Sequence, residues 1–285
     1  MEDTKDYTVT MFGISALQMP TLISIAPKES ILFNLQALGF PFNMSRPFMK
    51  DHVAFSPGNI LSGRCYTLFT SVYYHTDLQH LLQNMVVLTA AGQPVHKKVG
   101  RRHFLAIFTG GGFFGNLGMW VYYLLQRSIF TKTVAQDLQL LPSSANNIII
   151  KIWSEDTCPK KLIINPDTLN YGISCYGSSA GVNAILSFGA CCSAERIVRR
   201  LQECHTNQNF ELDVYFFSDV MNIVFTLRLF SNDAVALVSS FLTENGFFDQ
   251  LITQTGNIIG YAGHVAGTLF GLVYYYYMYR RNLLV

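Results

Sequence analysis

Long stretches without charge, rather than apolar/polar alternation, dominate this chain. Residues 7–27, 78–96, 104–126, 168–194 and 250–279 contain no Asp, Glu, Lys or Arg. A helix needs about 20 mostly apolar residues to cross a bilayer. The windows therefore predict spanning helices at approximately 7–27, 78–96, 104–126, 174–194 and 258–279, the first kinked at Pro20. A sixth, weaker span is expected at 214–231 (VYFFSDVMNIVFTLRLFS), where Asp219 and Arg228 interrupt the apolar run. A barrel or doubly wound sheet would need strands and helices alternating at short intervals, and that rhythm is absent. The expected fold is an all-α membrane bundle of six helices in a single domain spanning 1–285, without internal repeats.

Composition agrees. Half of the 285 residues are hydrophobic and only 13% are charged, against about 25% in an average soluble domain. The net charge of +2, with no basic tail or stripe, gives no reason to expect a nucleic-acid partner. Six cysteines show no C-x-x-C and no spacing with His that suits tetrahedral zinc. They read as small buried hydrophobes, and neither metal nor cofactor is expected. The N-terminus MEDTKD carries more acid than base, unlike a cleaved signal peptide, so 7–27 reads as a retained span.

The connections are unequal. Residues 28–77, 127–167 and 232–249 form the larger ones, the last acidic, whereas HKKVGRR (96–102), ERIVRR (195–200) and YRR (279–281) are compact and basic. The positive-inside rule puts the three basic segments on the cytosolic or equivalent side. Spans two, four and six then run in one direction, and depths can be compared. Ser179 lies 16 residues before Glu195 and His264 lies 16 before Arg280, about 24 Å in each case at 1.5 Å per residue. His80 lies 17 residues before Lys97, about 25 Å, with Asn84 one turn lower at about 20 Å. All four fall inside a hydrocarbon core about 30 Å thick, near the surface that carries the large loops. Polar groups at one intramembrane level point to a shared pocket.

Gly177-Ser178-Ser179-Ala180-Gly181 matches the G-x-S-x-G of a hydrolase nucleophile elbow. A soluble lipase or esterase could use Ser179, an acid such as Asp233 or Asp249, and His264, in that chain order. The length and uniform apolarity of 168–194 and 250–279 argue against a soluble sheet. In the last span Gly260, His264, Gly267 and Gly271 fall on one helical face. With Ala180, Gly181 and Ala184 they predict a tight helix pair that brings His264 to Ser179.

Taken together, the loop GRCYTLFTSVYYHTDLQH, the H-x-x-x-N of HLLQN (His80, Asn84), the Gly177-x-Ser179 motif and the G-x-x-x-H of GYAGH followed by Gly267 resemble the rhomboid family of intramembrane serine proteases. The resemblance covers most of 60–279. It implies a six-helix bundle with a water-filled cavity, Ser179 as nucleophile and His264 as general base, in a dyad with no acidic third member. It further implies an oxyanion hole from His80, Asn84 and the Ser179 N–H, a 28–77 loop lying partly in the membrane, and a cap over the cavity at 232–257. The chain departs from the family pattern at Ala180, Asn183 and Gly63, near His96, and in its longer 127–167 insertion. Two readings follow. One is an endopeptidase cleaving single-span transmembrane substrates near the membrane surface. The other is a catalytically inactive relative that binds such clients for trafficking, degradation or protein import. The compartment stays open among the mitochondrial inner membrane, the secretory pathway and the plasma membrane.

Overall fold

The computed structural model describes residues 2–18, 46–75, 77–137, 148–152, 160–164, 177–207, 213–242 and 260–284. Residues 19–27 of the first expected span, with Pro20, residues 28–45 of the long loop and residues 243–257 of the expected cap lie outside the described residues. Helix α1 (Glu2–Leu17) starts ahead of its charge-free window. Its first turns carry charge because they dock at the charged end of the next helix. Asp6 pairs with Arg101 and lies 3.6 Å from His96 Nε2, which also meets Thr10 Oγ1 at 3.0 Å. Tyr7 donates to the carbonyls of Leu88 and Thr89 at 3.0 and 3.1 Å.

The described part of the long loop is structured. Helices α2 (Arg46–His52), α3 (Pro57–Leu61) and α4 (Thr67–Thr70) are followed by a 3-10 turn, Ser71–Tyr73. Arg64 is tied into it, with Nε donating to Asn59 Oδ1 at 3.0 Å.

Helix α5 (Leu78–Asp137) contains the second and third expected spans as two arms. The break between them is Gly100, at φ 74° and ψ 169°, a conformation that a β-carbon disfavours. The basic segment 96–102 is thus helical on either side of a one-residue joint. A small antiparallel ribbon, β1 (Ile148–Ile152) with β2 (Lys160–Ile164), lies within the 127–167 insertion. The otherwise helical fold therefore has a β element, built from isoleucine-rich runs with high strand propensity.

Three further helices complete the described chain: α6 (Ser179–Asn207), α7 (Val214–Leu242) and α8 (Tyr261–Arg280). Helix α6 continues straight through 195–200, so the expected basic linker forms its later turns. Helix α7 runs well past the expected end at 231. Its interruptions are accommodated by partners: Asp219 is buried against Arg196 of α6, whose Nε lies 3.1 and 3.2 Å from the two carboxylate oxygens. Asp213 accepts from the Phe216 N–H at 2.8 Å, capping the start of α7, and pairs with Arg200.

The core lies where α5, α6 and α8 meet, around Phe104, Ile107, Phe108, Ile185, Phe188 and Met278. Among the described residues, two helical stretches are long and apolar enough to cross a membrane: 78–125 within α5, and α7. The segment expected to be weakest thus passes this test, and almost none of its apolar window is buried within the bundle. Cysteine usage is mixed, since Cys192 is buried but Cys65 is exposed.

Candidate active site at the start of α6

The chain enters α6 through a turn that glycine makes possible. Gly177 has φ 113°, and a β-carbon there would sit 2.7 Å from His80 Cε1. Its N–H donates to the Ser71 carbonyl at 3.0 Å. Ser71 is in turn held by Asn116, whose Nδ2 donates to Ser71 Oγ at 2.8 Å and to the Leu68 carbonyl at 2.7 Å. The Ser178 carbonyl accepts from the Val182 N–H at 2.8 Å. Ser178 therefore caps the helix, and Ser179 is the first helical residue. N–H groups in the first turn of a helix have no intrahelical acceptor and are available to other groups.

His264 reaches Ser179 from the first turn of α8, where its own N–H donates to the Gly260 carbonyl at 2.8 Å. Its Nε2 lies 2.9 Å from Ser179 Oγ. The distance depends on backbone-to-backbone contact. A β-carbon on Gly267 would fall 2.2 Å from the Ala180 carbonyl oxygen, and one on Gly271 2.2 Å from that of Ala184. On the other side of α6, a β-carbon on Gly181 would fall 2.4 Å from the Phe108 carbonyl oxygen of α5. Gly260 behaves differently. It precedes α8, and a β-carbon there would make only an ordinary 3.7 Å contact with Met119.

His80 opens α5, its N–H accepted by Asp77 Oδ1 at 2.7 Å, and its ring packs edge-on to His75 at 5.0 Å between centroids. Asn84, one turn on, turns its amide to His75, with Nδ2 3.1 Å from His75 Nε2. The Ser178 N–H points to the same nitrogen at 3.3 Å. Nε2 of His75 is thus an acceptor, and the ring is a neutral imidazole with its proton on Nδ1. His75 is in the loop ahead of α5 and fully buried; that burial, with His80 adding to it, pushes its pKa down to about 3.

Besides Asp77, a second acidic side chain approaches the cluster. Asp233, on α7, places Oδ2 3.2 Å from His264 Nδ1, with its side chain 16% exposed. The resemblance implies no acidic neighbour for His264, and the structure brings this one to its ring. The physical reason is the length of α7: by continuing as a helix to Leu242 it carries Asp233 to the imidazole, whereas ending it at 231 would leave Asp233 in a loop.

Sequence reasoning also missed His75, Ser71 and Asn116, which hold the elbow, and three glycines of α5. A β-carbon on Gly111 or Gly115 would fall 2.3 Å from the side chains of Ala184 or Ala180, and one on Gly118 2.6 Å from that of Ala266. The run GGGFFGNLG (110–118) held the signal, since its glycines recur at helical spacing.

The sequence model of the Rhomboid domain matches residues 62–131, the loop and most of α5. Over this stretch the chain is similar to the rhomboid family. This family comprises membrane-embedded helical bundles, generally serine proteases. Among curated rhomboids, the chain is 30% identical over 89 residues to RHOMBOID-like protein 12, mitochondrial, of Arabidopsis thaliana, covering 31% of this chain and 25% of that one. It is 38% identical over 80 residues to the uncharacterized mitochondrial rhomboid protein P4H10.10 of Schizosaccharomyces pombe, covering 28% of this chain and 19% of that one. Over 106 residues it is 26% identical to the putative rhomboid protease YdcA of Bacillus subtilis, covering 35% and 53%. The chain thus spans between about a fifth and a half of the length of these rhomboids. No solved structure matches it significantly.

Proposed function

We propose that this protein is a rhomboid-type intramembrane serine endopeptidase that cleaves single-span transmembrane proteins near the loop-side surface of the bilayer. The observation that carries this reading is the 2.9 Å contact between Ser179 Oγ and His264 Nε2 at the start of a helix. Serine is a weak nucleophile until a base takes its proton, and the contact supplies that base. In this reading His80 and Asn84, in the first two turns of α5, and the Ser179 N–H, at the start of α6, are the donors for a developing oxyanion. Asn84 donates one amide hydrogen to His75 and keeps a second for substrate. A substrate bond must leave its helix to be attacked, so helix-destabilising residues near the cut favour cleavage.

A mitochondrial membrane is the proposed location, supported by the two relatives named as mitochondrial. The test is cleavage of a single-span reporter by purified protein, in detergent and in liposomes, comparing wild type with Ser179→Ala and His264→Ala. Wild-type cleavage lost in both variants is expected. A folded wild type that cleaves no reporter in either setting would overturn the protease reading in favour of a client-binding role.

A further inference from the structure

Asp233 is an unusual residue for its position. It sits on a helix whose neighbouring side chains Val235 and Val238 are exposed and apolar, in a stretch suited to lipid. A carboxylate at membrane depth is costly and is normally paired or placed in a cavity. This one faces His264 Nδ1 at 3.2 Å, while the other ring nitrogen faces Ser179 Oγ at 2.9 Å. The imidazole is therefore bracketed by an acid from α7 and a hydroxyl from α6. Among the described residues, His80 is another titratable side chain close enough to feel the charge of His264.

We propose that Asp233 is a positioning residue that makes Ser179 and His264 part of a Ser-His-Asp arrangement, an inference that rests on the protease reading. Asp233 holds the tautomer with hydrogen on Nδ1, leaving the Nε2 lone pair directed at Ser179 Oγ–H. As Oγ bonds to the scissile carbonyl carbon, its proton passes to Nε2. That proton then goes to the departing amide nitrogen as the C–N bond breaks. Water next attacks the acyl ester, giving one proton to Nε2, which returns it to Oγ as the ester bond breaks. Asp233 stays ionised throughout and stabilises the imidazolium without taking a proton.

The substitution that isolates this role is Asp233→Asn, which keeps the shape but can donate to Nδ1 and trap the hydrogen on Nε2. The full chain, wild type beside Asp233→Asn and Asp233→Glu, is measured for reporter kcat and KM, for the rate at which a fluorophosphonate labels Ser179, and for thermal midpoint. For Asp233→Asn, kcat falls by about 10³–10⁴-fold, labelling slows in parallel, and KM and the thermal midpoint hold. Asp233→Glu recovers part of both rates. Asn and wild-type proteins that cleave and label equally fast would overturn the inference while leaving the protease reading intact. Equal losses in Asn and Glu variants with a lowered midpoint would overturn it by showing a structural role. A wild type that is labelled but cleaves no reporter leaves the decision to the labelling rates. One that is neither labelled nor active removes the protease reading and this inference with it.

Discussion

Helices α7 and α8 both pack on α6, in opposite ways. Between α6 and α8 the contact is backbone on backbone, with Gly267 and Gly271 lying against the carbonyls of Ala180 and Ala184. Ser187 Oγ adds a bond to the Thr268 carbonyl at 2.9 Å. Helix α7 meets its neighbours through separate polar ties: Asp219 with Arg196, Asn222 with Ser193, Ser240 with Tyr122, and Asp233 with His264. Much of its remaining surface, including Phe217, Met221, Val224 and Leu227, is exposed and apolar. The first arrangement fixes a distance. The second fixes an orientation and leaves a greasy outer face for lipid, so Ser179 and His264 sit on the rigid seam while Asp233 arrives on the tied helix.

The seam should be the easiest part to break. Gly267→Val is expected to yield no folded protein, and Gly267→Ala to cost about 1–3 kcal/mol or more, because the new carbon must displace a backbone carbonyl. A displacement of about 1 Å between Ser179 and His264 would itself cost about 10²-fold in rate. Thermal midpoints and reporter cleavage in one detergent check both effects, and a Gly267→Ala protein equal to wild type would mean that the seam is not tight.

On the tied helix, Arg196→Ala leaves the Asp219 carboxylate buried without its partner. The expected loss is about 2–3 kcal/mol, less than for a fully enclosed pair because Arg196 is partly exposed. Replacing both, as Arg196→Ala with Asp219→Leu, should recover most of the lost midpoint, since an apolar exchange removes the uncompensated charge.

His75 sharpens the comparison from the loop side, because it ties the start of α6 to the loop ahead of α5. With its pKa lowered to about 3, the folded protein stays neutral there while the unfolded chain takes up a proton below about pH 6.5. The stability it contributes is full above pH 6.5 and is lost progressively as pH falls toward about 3. At pH 5 the loss is about 2 kcal/mol. His75→Gln should flatten this acid branch of the midpoint-against-pH curve while lowering the neutral-pH midpoint.

The helices carrying Ser179, His80 and His264 were legible because spanning segments exclude charge, which leaves long blank windows in any sequence. The meeting of Ser179 and His264 was legible because helical rise is constant and glycines mark the seam. Helix α7 was read too short for the same reason: Asp219 and Arg228 look like interruptions in one dimension, and the partner that accommodates Asp219, Arg196, lies on another helix. Asp233 fell in what looked like an acidic loop, so its approach to His264 could not be read from spacing. The Gly111, Gly115 and Gly118 face was overlooked although its period was visible, whereas the Asn116 to Ser71 to Gly177 chain depends on how the loop folds back and left no pattern to find.

The placement of Ser179 as the first residue of α6 has an electrostatic consequence. The amide dipoles of a helix add up to about half a positive charge at its N-terminus. A lysine carried to the centre of a bilayer would cost about 2.5–3.5 kcal/mol on insertion scales. Helix α6 instead brings positive potential to its first hydroxyl using neutral peptide groups alone, so, on the proposed reading, negative charge forming beside Ser179 is met without a buried cation.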